Sequence, residues 1–229
     1  MAELKKLEKK LGFTFKKPEL MELAFVHRSF LNENNEYAEH NERLEFLGDA
    51  VLELIVTEYL YLTFEKEAEG QLTNWRSALV RGDNLAKIAR DLKLGEYLKL
   101  SKGEENSGGR DKDYILANAV EALIGAIYLD KGFKWAKVFI DQYVIVKLDE
   151  ILKHKLYIDG KSQFQELAQA KVEITPEYKL VKEEGPDHDK EFTMAVYLGA
   201  EKVAEGKGKS KQAAEEQAAR KGLEVKGWI

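Results

Sequence analysis

The chain contains no cysteine. That excludes disulfide staples and thiolate metal sites, so any metal chemistry falls to oxygen or imidazole ligands. The four histidines, His27, His40, His154 and His188, are dispersed without ligand spacing, and none is assigned to a metal. Proline is scarce, with three among 229 residues, and roughly the first 150 residues read as successive helices. No apolar run approaches the roughly 20 residues needed to cross a bilayer. The opening segment reads as a charged amphipathic helix instead of a signal peptide, so the expectation is a soluble, cytoplasmic protein with no membrane partner. Positive charge is also short: 36 Lys and Arg against 41 Asp and Glu give a net charge of −5. A nucleic-acid binder normally carries a basic footprint, so such a role here depends on local lysine clusters and bound cations. Hydrophobic residues make up 44% of the chain, enough for one large core and a small second one. No internal repeat is evident.

What is present is an acidic helix. At about 100° per residue, Glu42, Glu45, Asp49 and Glu53 fall within roughly 80° of one another. Leu44, Leu47, Val51, Leu54 and Ile55 cluster opposite, so the segment 41–54 has a core face and an acidic face. A solvated helix usually intersperses lysines among its acids for i,i+4 pairing, whereas here Arg43 stands alone in the first three turns. Carboxylates gathered this way call for a cation, most simply a metal ion. Phe46 lies about 40° from Glu42, beside the acids and away from the aliphatic stripe. Either a partner surface covers it or it curls under a loop of its own domain.

A second segment, 114–129, reads as an apolar, Ala-rich helix in which Asn118 and Glu121 are three apart on one face. Two polar groups in such a helix need partners. They form either a hydrogen-bonded core pair or half of a cation site shared with the first helix.

Together the two segments resemble the ribonuclease III family. Asn41-Glu42-Arg43-Leu44-Glu45-Phe46-Leu47-Gly48-Asp49-Ala50 matches its signature, and 114–129 matches its other acidic block. His27-Arg28-Ser29-Phe30, the segment 69–77 and the loop 103–110 also read like family segments. The resemblance runs from about residue 4 to the end of the chain. It implies that Glu42, Glu45, Asp49 and Glu121 are catalytic, with Glu42 at the edge of the cleavage site. It implies a divalent cation, normally Mg2+ with Mn2+ as substitute, held by Glu45, Asp49, Asn118 and Glu121, a donor set suited to a hard ion. It further implies a homodimer in which Phe46 plugs into the twin subunit. One departure is Asn118, where the family usually has aspartate; the amide oxygen coordinates without adding charge. A natural active variant, an engineered substitution and a binding protein that has lost catalysis all fit that departure.

Residues 149–160 mix charges with a glycine and end the helical texture, which places a linker at 153–160 between a domain over 1–152 and another over 161–229. The second domain reads as a helix over 161–170, strands over 177–181, 192–198 and, weakly, 202–206, and a last helix N-capped by Ser210. That α-β-β-β-α order resembles the double-stranded-RNA-binding domain, which recognises A-form RNA by shape across two minor grooves. The resemblance implies RNA contacts from Gln165, from His188 in the turn 185–188, and from Lys207, Lys209, Ser210 and Lys211 at the last helix. Gln212 and the acids Asp187 and Asp189 depart from the family pattern and predict weaker phosphate attraction. The fold expectation is thus an all-α endonuclease domain followed by a small α+β RNA-binding domain. The implied activity is metal-dependent hydrolysis of double-stranded RNA to 5′-phosphate and 3′-hydroxyl ends with short 3′ overhangs, in RNA processing. The alternative is a catalytically impaired RNA-binding protein.

Overall fold

The computed structural model describes residues 2–155, 157–185 and 190–228 and divides into two compact units, Met1–Leu152 and Lys153–Ile229. The first carries helices α1 (Ala2–Leu11), α2 (Pro18–Ala24), α3 (Glu42–Thr63), α4 (Glu69–Val80), α5 (Gly82–Leu92), α6 (Lys102–Asn106), α7 (Asp113–Lys131), α8 (Phe133–Tyr143) and α9 (Leu148–Lys153). The all-α expectation holds. Among the described residues of this unit, extended pairing is confined to one parallel bridge, Val26 with Lys99.

Local chemistry sets several boundaries. Pro18 opens α2, where its missing N–H costs nothing. Ser101 caps α6 by accepting the Glu104 N–H at 3.1 Å. Gly132, at φ +78°, turns the chain from α7 into α8.

Helix α7 is apolar nearly all round. Ile115, Leu116, Val120, Leu123, Ile124 and Ile127 are all buried, as a helix without a polar face must be, and α2, α3, α5 and α8 pack about it. Each large side chain so buried contributes roughly 1.5–3 kcal/mol.

The buried stripe of α3 is rotated from the one the periodicity predicts. It comprises Leu44, Gly48, Val51, Leu52, Ile55, Val56 and Leu60, whereas Leu54, placed on the core face by its azimuth, is 58% exposed. The reason is Gly48, which counts for nothing in a hydrophobicity pattern yet marks where a neighbouring backbone comes closest.

In the second unit α10 (Gly160–Val172) precedes strands β1 (Glu177–Glu184), β2 (Glu191–Leu198) and β3 (Glu201–Gly208), then α11 (Lys211–Val225). The sheet is antiparallel in the order β1-β2-β3, and both helices cover one face around Phe164, Ala168, Val196, Leu198, Ala218 and Leu223. This is the α-β-β-β-α unit read from the sequence. Strand β3 is longer than its weak pattern suggests because its glycines are contact points. A Cβ on Gly206 would lie 2.2 Å from Ala218 N and 2.3 Å from Ala214 O, so α11 rests directly on the strand.

Candidate active site

The site is made by the crossing of α3 and α7. A Cβ on Gly48 would sit 1.7 Å from the Glu121 carbonyl oxygen, and one on Gly125 would sit 2.2 Å from that of Leu44. The two backbones therefore touch, which only glycine permits. Glu45 and Asp49 flank Gly48 in sequence, and Glu121 is the residue its missing Cβ would strike. The crossing thus brings the acids of two distant segments together.

Their electrostatics follow from that proximity. Burial, then the Asp49 charge, then that of Glu45 push Glu121 up to about 7. Glu45 is also raised, first by burial, then by Glu42; a hydrogen bond from Asn118 opposes the rise, and Asp49 adds to it. A carboxylate only accepts, so the Asn118 amide donates in that contact. Glu45 Oε2 is buried and has no hydrogen-bond partner. Among the described residues no group of three acidic or imidazole side chains is arranged to hold a metal ion, although Glu45, Asp49 and Glu121 lie within electrostatic range of one another. An orphaned buried oxygen, neighbouring carboxyl groups and an amide oxygen are nevertheless the hard donor set a divalent cation takes. These residues fit such an ion.

The rest of the acidic face is compensated, which the sequence pattern did not reveal. Glu53 pairs with Arg76 of α4 at 3.2 Å, and Arg76 also donates to Thr57 Oγ1. Glu42 lies 3.5 Å from the Arg28 guanidinium and 3.8 Å from the His40 imidazole, so it stands at the rim with an arginine of its own. Phe46 is 81% exposed, so no loop of its own domain covers it. Leu54 and Tyr61, both exposed on α3, lie within about 80° of it around the helix.

In the second unit, Gln165 is exposed on α10 while Phe164 and Ala168 face the core. Ser210 caps α11 by accepting the Ala213 N–H at 3.1 Å. Lys207, Lys209 and Lys211 are exposed around it. Lys207 is already paired with Glu191 at 3.1 Å, and Lys211 lies over the Phe192 ring. His188 and its neighbours Pro186, Asp187 and Asp189 lie outside the described residues.

Comparisons with known proteins agree with this organisation. A profile described as ribonuclease-III-like matches residues 17–148, and one described as a double-stranded RNA binding motif matches residues 161–226. The chain is 46% identical over 219 residues to Ribonuclease 3 of Enterococcus faecalis, covering 95% of this chain and 94% of the relative. It is 44% identical over 224 residues to Ribonuclease 3 of Borreliella burgdorferi, covering 98% and 91%. Among solved structures it resembles the nuclease domain of ribonuclease III from Campylobacter jejuni, with 48% identity and a TM-score of 0.57 over 61% of this chain and 94% of that one. That structure is described as flexible in a region involved in dimer formation.

Proposed function

This chain belongs to the ribonuclease III family, and from that premise we propose that it cleaves double-stranded RNA as a magnesium-dependent homodimer, with Glu42, Glu45, Asp49, Asn118 and Glu121 forming each site. The chain is an endoribonuclease with a double-stranded-RNA-binding domain. No helix among the described residues is long and apolar enough to cross a membrane.

The observation that carries the proposal is the glycine crossing of α3 and α7, with the buried, unpartnered Glu45 Oε2 beside it. Glu45, Asp49, Glu121 and the Asn118 amide would hold the cation, Mg2+ or Mn2+ in its place. When bound, the ion supplies Lewis acidity and neutralises charge at the scissile phosphate. The protein's own part is positional. Glu121, mostly withdrawn from water, keeps its proton toward neutral pH until a cation compensates it. The Asn118 N–H steadies Glu45, and Glu42 at the rim orients water or substrate. Products would carry 5′-phosphate and 3′-hydroxyl ends, with short 3′ overhangs if each subunit cuts one strand.

The second domain would supply affinity. The α11 N-terminus with Lys207, Lys209, Ser210 and Lys211 would meet backbone phosphates, while Gln165 and His188 reach minor grooves. The exposed apolar side of α3, Phe46 above all, supports a twin subunit as its cover.

The test is incubation of labelled duplex RNA with and without magnesium or manganese, for the wild type and Glu121→Gln. Divalent-dependent cleavage lost in the variant, with duplex binding retained, is the expected result. Undiminished cleavage by Glu121→Gln would remove that residue from the site, and binding without any cleavage would leave an RNA-binding protein.

A further inference from the structure

The segment His27-Arg28-Ser29-Phe30, where His27 caps a short 3-10 turn over Arg28–Asn32, is held from two sides. Phe25 O accepts the Lys99 N–H at 2.8 Å, and the His27 N–H donates to Lys99 O at 3.1 Å. From the other side Asn41, which is buried, donates its N–H to Val26 O at 2.9 Å and its side-chain amide to Ala24 O at 3.2 Å. His27 Nδ1 accepts the Ser29 N–H at 3.2 Å, and Ser29 Oγ accepts the Ser101 N–H at 3.1 Å. Asn41 directly precedes α3, so this frame locks the Arg28 backbone to the end of the helix that bears the acids.

At the tip of that frame sits a loosely held cation. Arg28 Nη1 is 3.5 Å from Glu42 Oε1, and its side chain is 72% exposed. Glu42 is its ion-pair partner among the described residues, so most of the five guanidinium N–H groups face solvent. Arg76, by contrast, is 32% exposed and committed to both Glu53 and Thr57. A cluster of carboxylates attracts a cation but repels the phosphates of the strand it must cut. An exposed guanidinium on a firmly anchored backbone at its rim answers that conflict, because its planar fork matches phosphate oxygens.

We propose that Arg28 is a substrate-binding residue of the nuclease site, taking a phosphate of the strand to be cleaved when duplex RNA displaces it from Glu42. The inference rests on the nuclease reading above. Its test uses the full chain carrying Glu121→Gln, so that binding is read without turnover. Adding Arg28→Gln is expected to weaken duplex affinity roughly three- to tenfold at low salt. It should also reduce the slope of log affinity against log salt by about one unit per site. Arg28→Lys should restore the slope and part of the affinity, since the charge returns without the fork. The Arg28→Gln loss should persist when Glu42→Gln is also present. An unchanged slope, or a loss that vanishes in the Glu42→Gln background, would overturn the proposal and leave Arg28 a counter-ion of Glu42. Thermal melting checks the fold; should Arg28→Gln unfold, Arg28→Lys and Arg28→Ala carry the same comparison. Failure of the wild type to cleave duplex RNA with either metal would sink the nuclease reading itself. Cleavage by the wild type with an unaltered slope in the variant sinks the Arg28 assignment alone.

Discussion

Gly48 of α3 and Gly125 of α7 lie directly against one another, so that a Cβ on Gly48 would meet Gly125 N at 2.9 Å and one on Gly125 would meet Gly48 N at 3.2 Å. Because the obstruction is backbone on both sides, no rotamer change relieves it. Gly48→Ala should force the helices apart, costing about 1–3 kcal/mol of stability. Cleavage should fall further than stability explains, because Glu45 and Asp49 move away from Glu121. Urea denaturation together with cleavage rates measured well below the unfolding midpoint checks this; a variant with native stability and rate would contradict the contact.

The Asn118 amide lies beside Glu45, where the family resemblance implies an aspartate. Asn118→Asp adds a negative charge to a cluster already in mutual repulsion, so the protein in chelator should melt at a lower temperature than the wild type. With magnesium the order should reverse, and the concentration giving half-maximal cleavage should drop roughly three- to tenfold. A magnesium titration of both proteins decides it; identical curves would remove residue 118 from the cation's surroundings.

Phe46, Leu54 and Tyr61 present an exposed apolar side of α3. Phe46→Glu should weaken self-association at least about thirtyfold if Phe46 anchors the subunit contact. Sedimentation velocity over a concentration series reads this, and an unaltered dimer would place the interface elsewhere.

Glu191 occupies the Lys207 ammonium at 3.1 Å, and the ion pair raises the lysine pKa. An RNA phosphate must compete with this carboxylate. Glu191→Gln should therefore tighten duplex binding roughly two- to fivefold at low salt, the modest scale of an exposed pair. The gain should fade as salt rises. Weaker binding would mean that Glu191 orders the lysine for RNA instead of competing for it.

Burial holds His27 below its ordinary value of 6.5. The unfolded chain therefore accepts a proton before the folded one does, and stability present above pH 6.5 declines as pH falls through the lower folded value. His27→Asn keeps an acceptor for the Ser29 N–H without a titrating ring, so its stability should fall less from pH 8 to pH 5.5. Urea midpoints at the two pH values test this; parallel losses would show that other groups carry the acid sensitivity.

The local character of the chain was legible in its sequence. The α-β-β-β-α order, the Ser210 cap and the acids of segments 41–54 and 114–129 are matters of residue type and spacing, and neighbouring residues suffice to set them. Tertiary packing decided which acids remain available. Glu53 is neutralised by Arg76 and Glu42 is met by Arg28, cations from segments 23 and 14 positions away, while Glu45, Asp49 and Glu121 are left to repel one another. The azimuth of α3 was likewise settled from outside, by a glycine that admits another backbone. Periodicity records what each side chain prefers to face, but a close approach and an ion pair depend on what stands opposite. Only the folded chain supplies that.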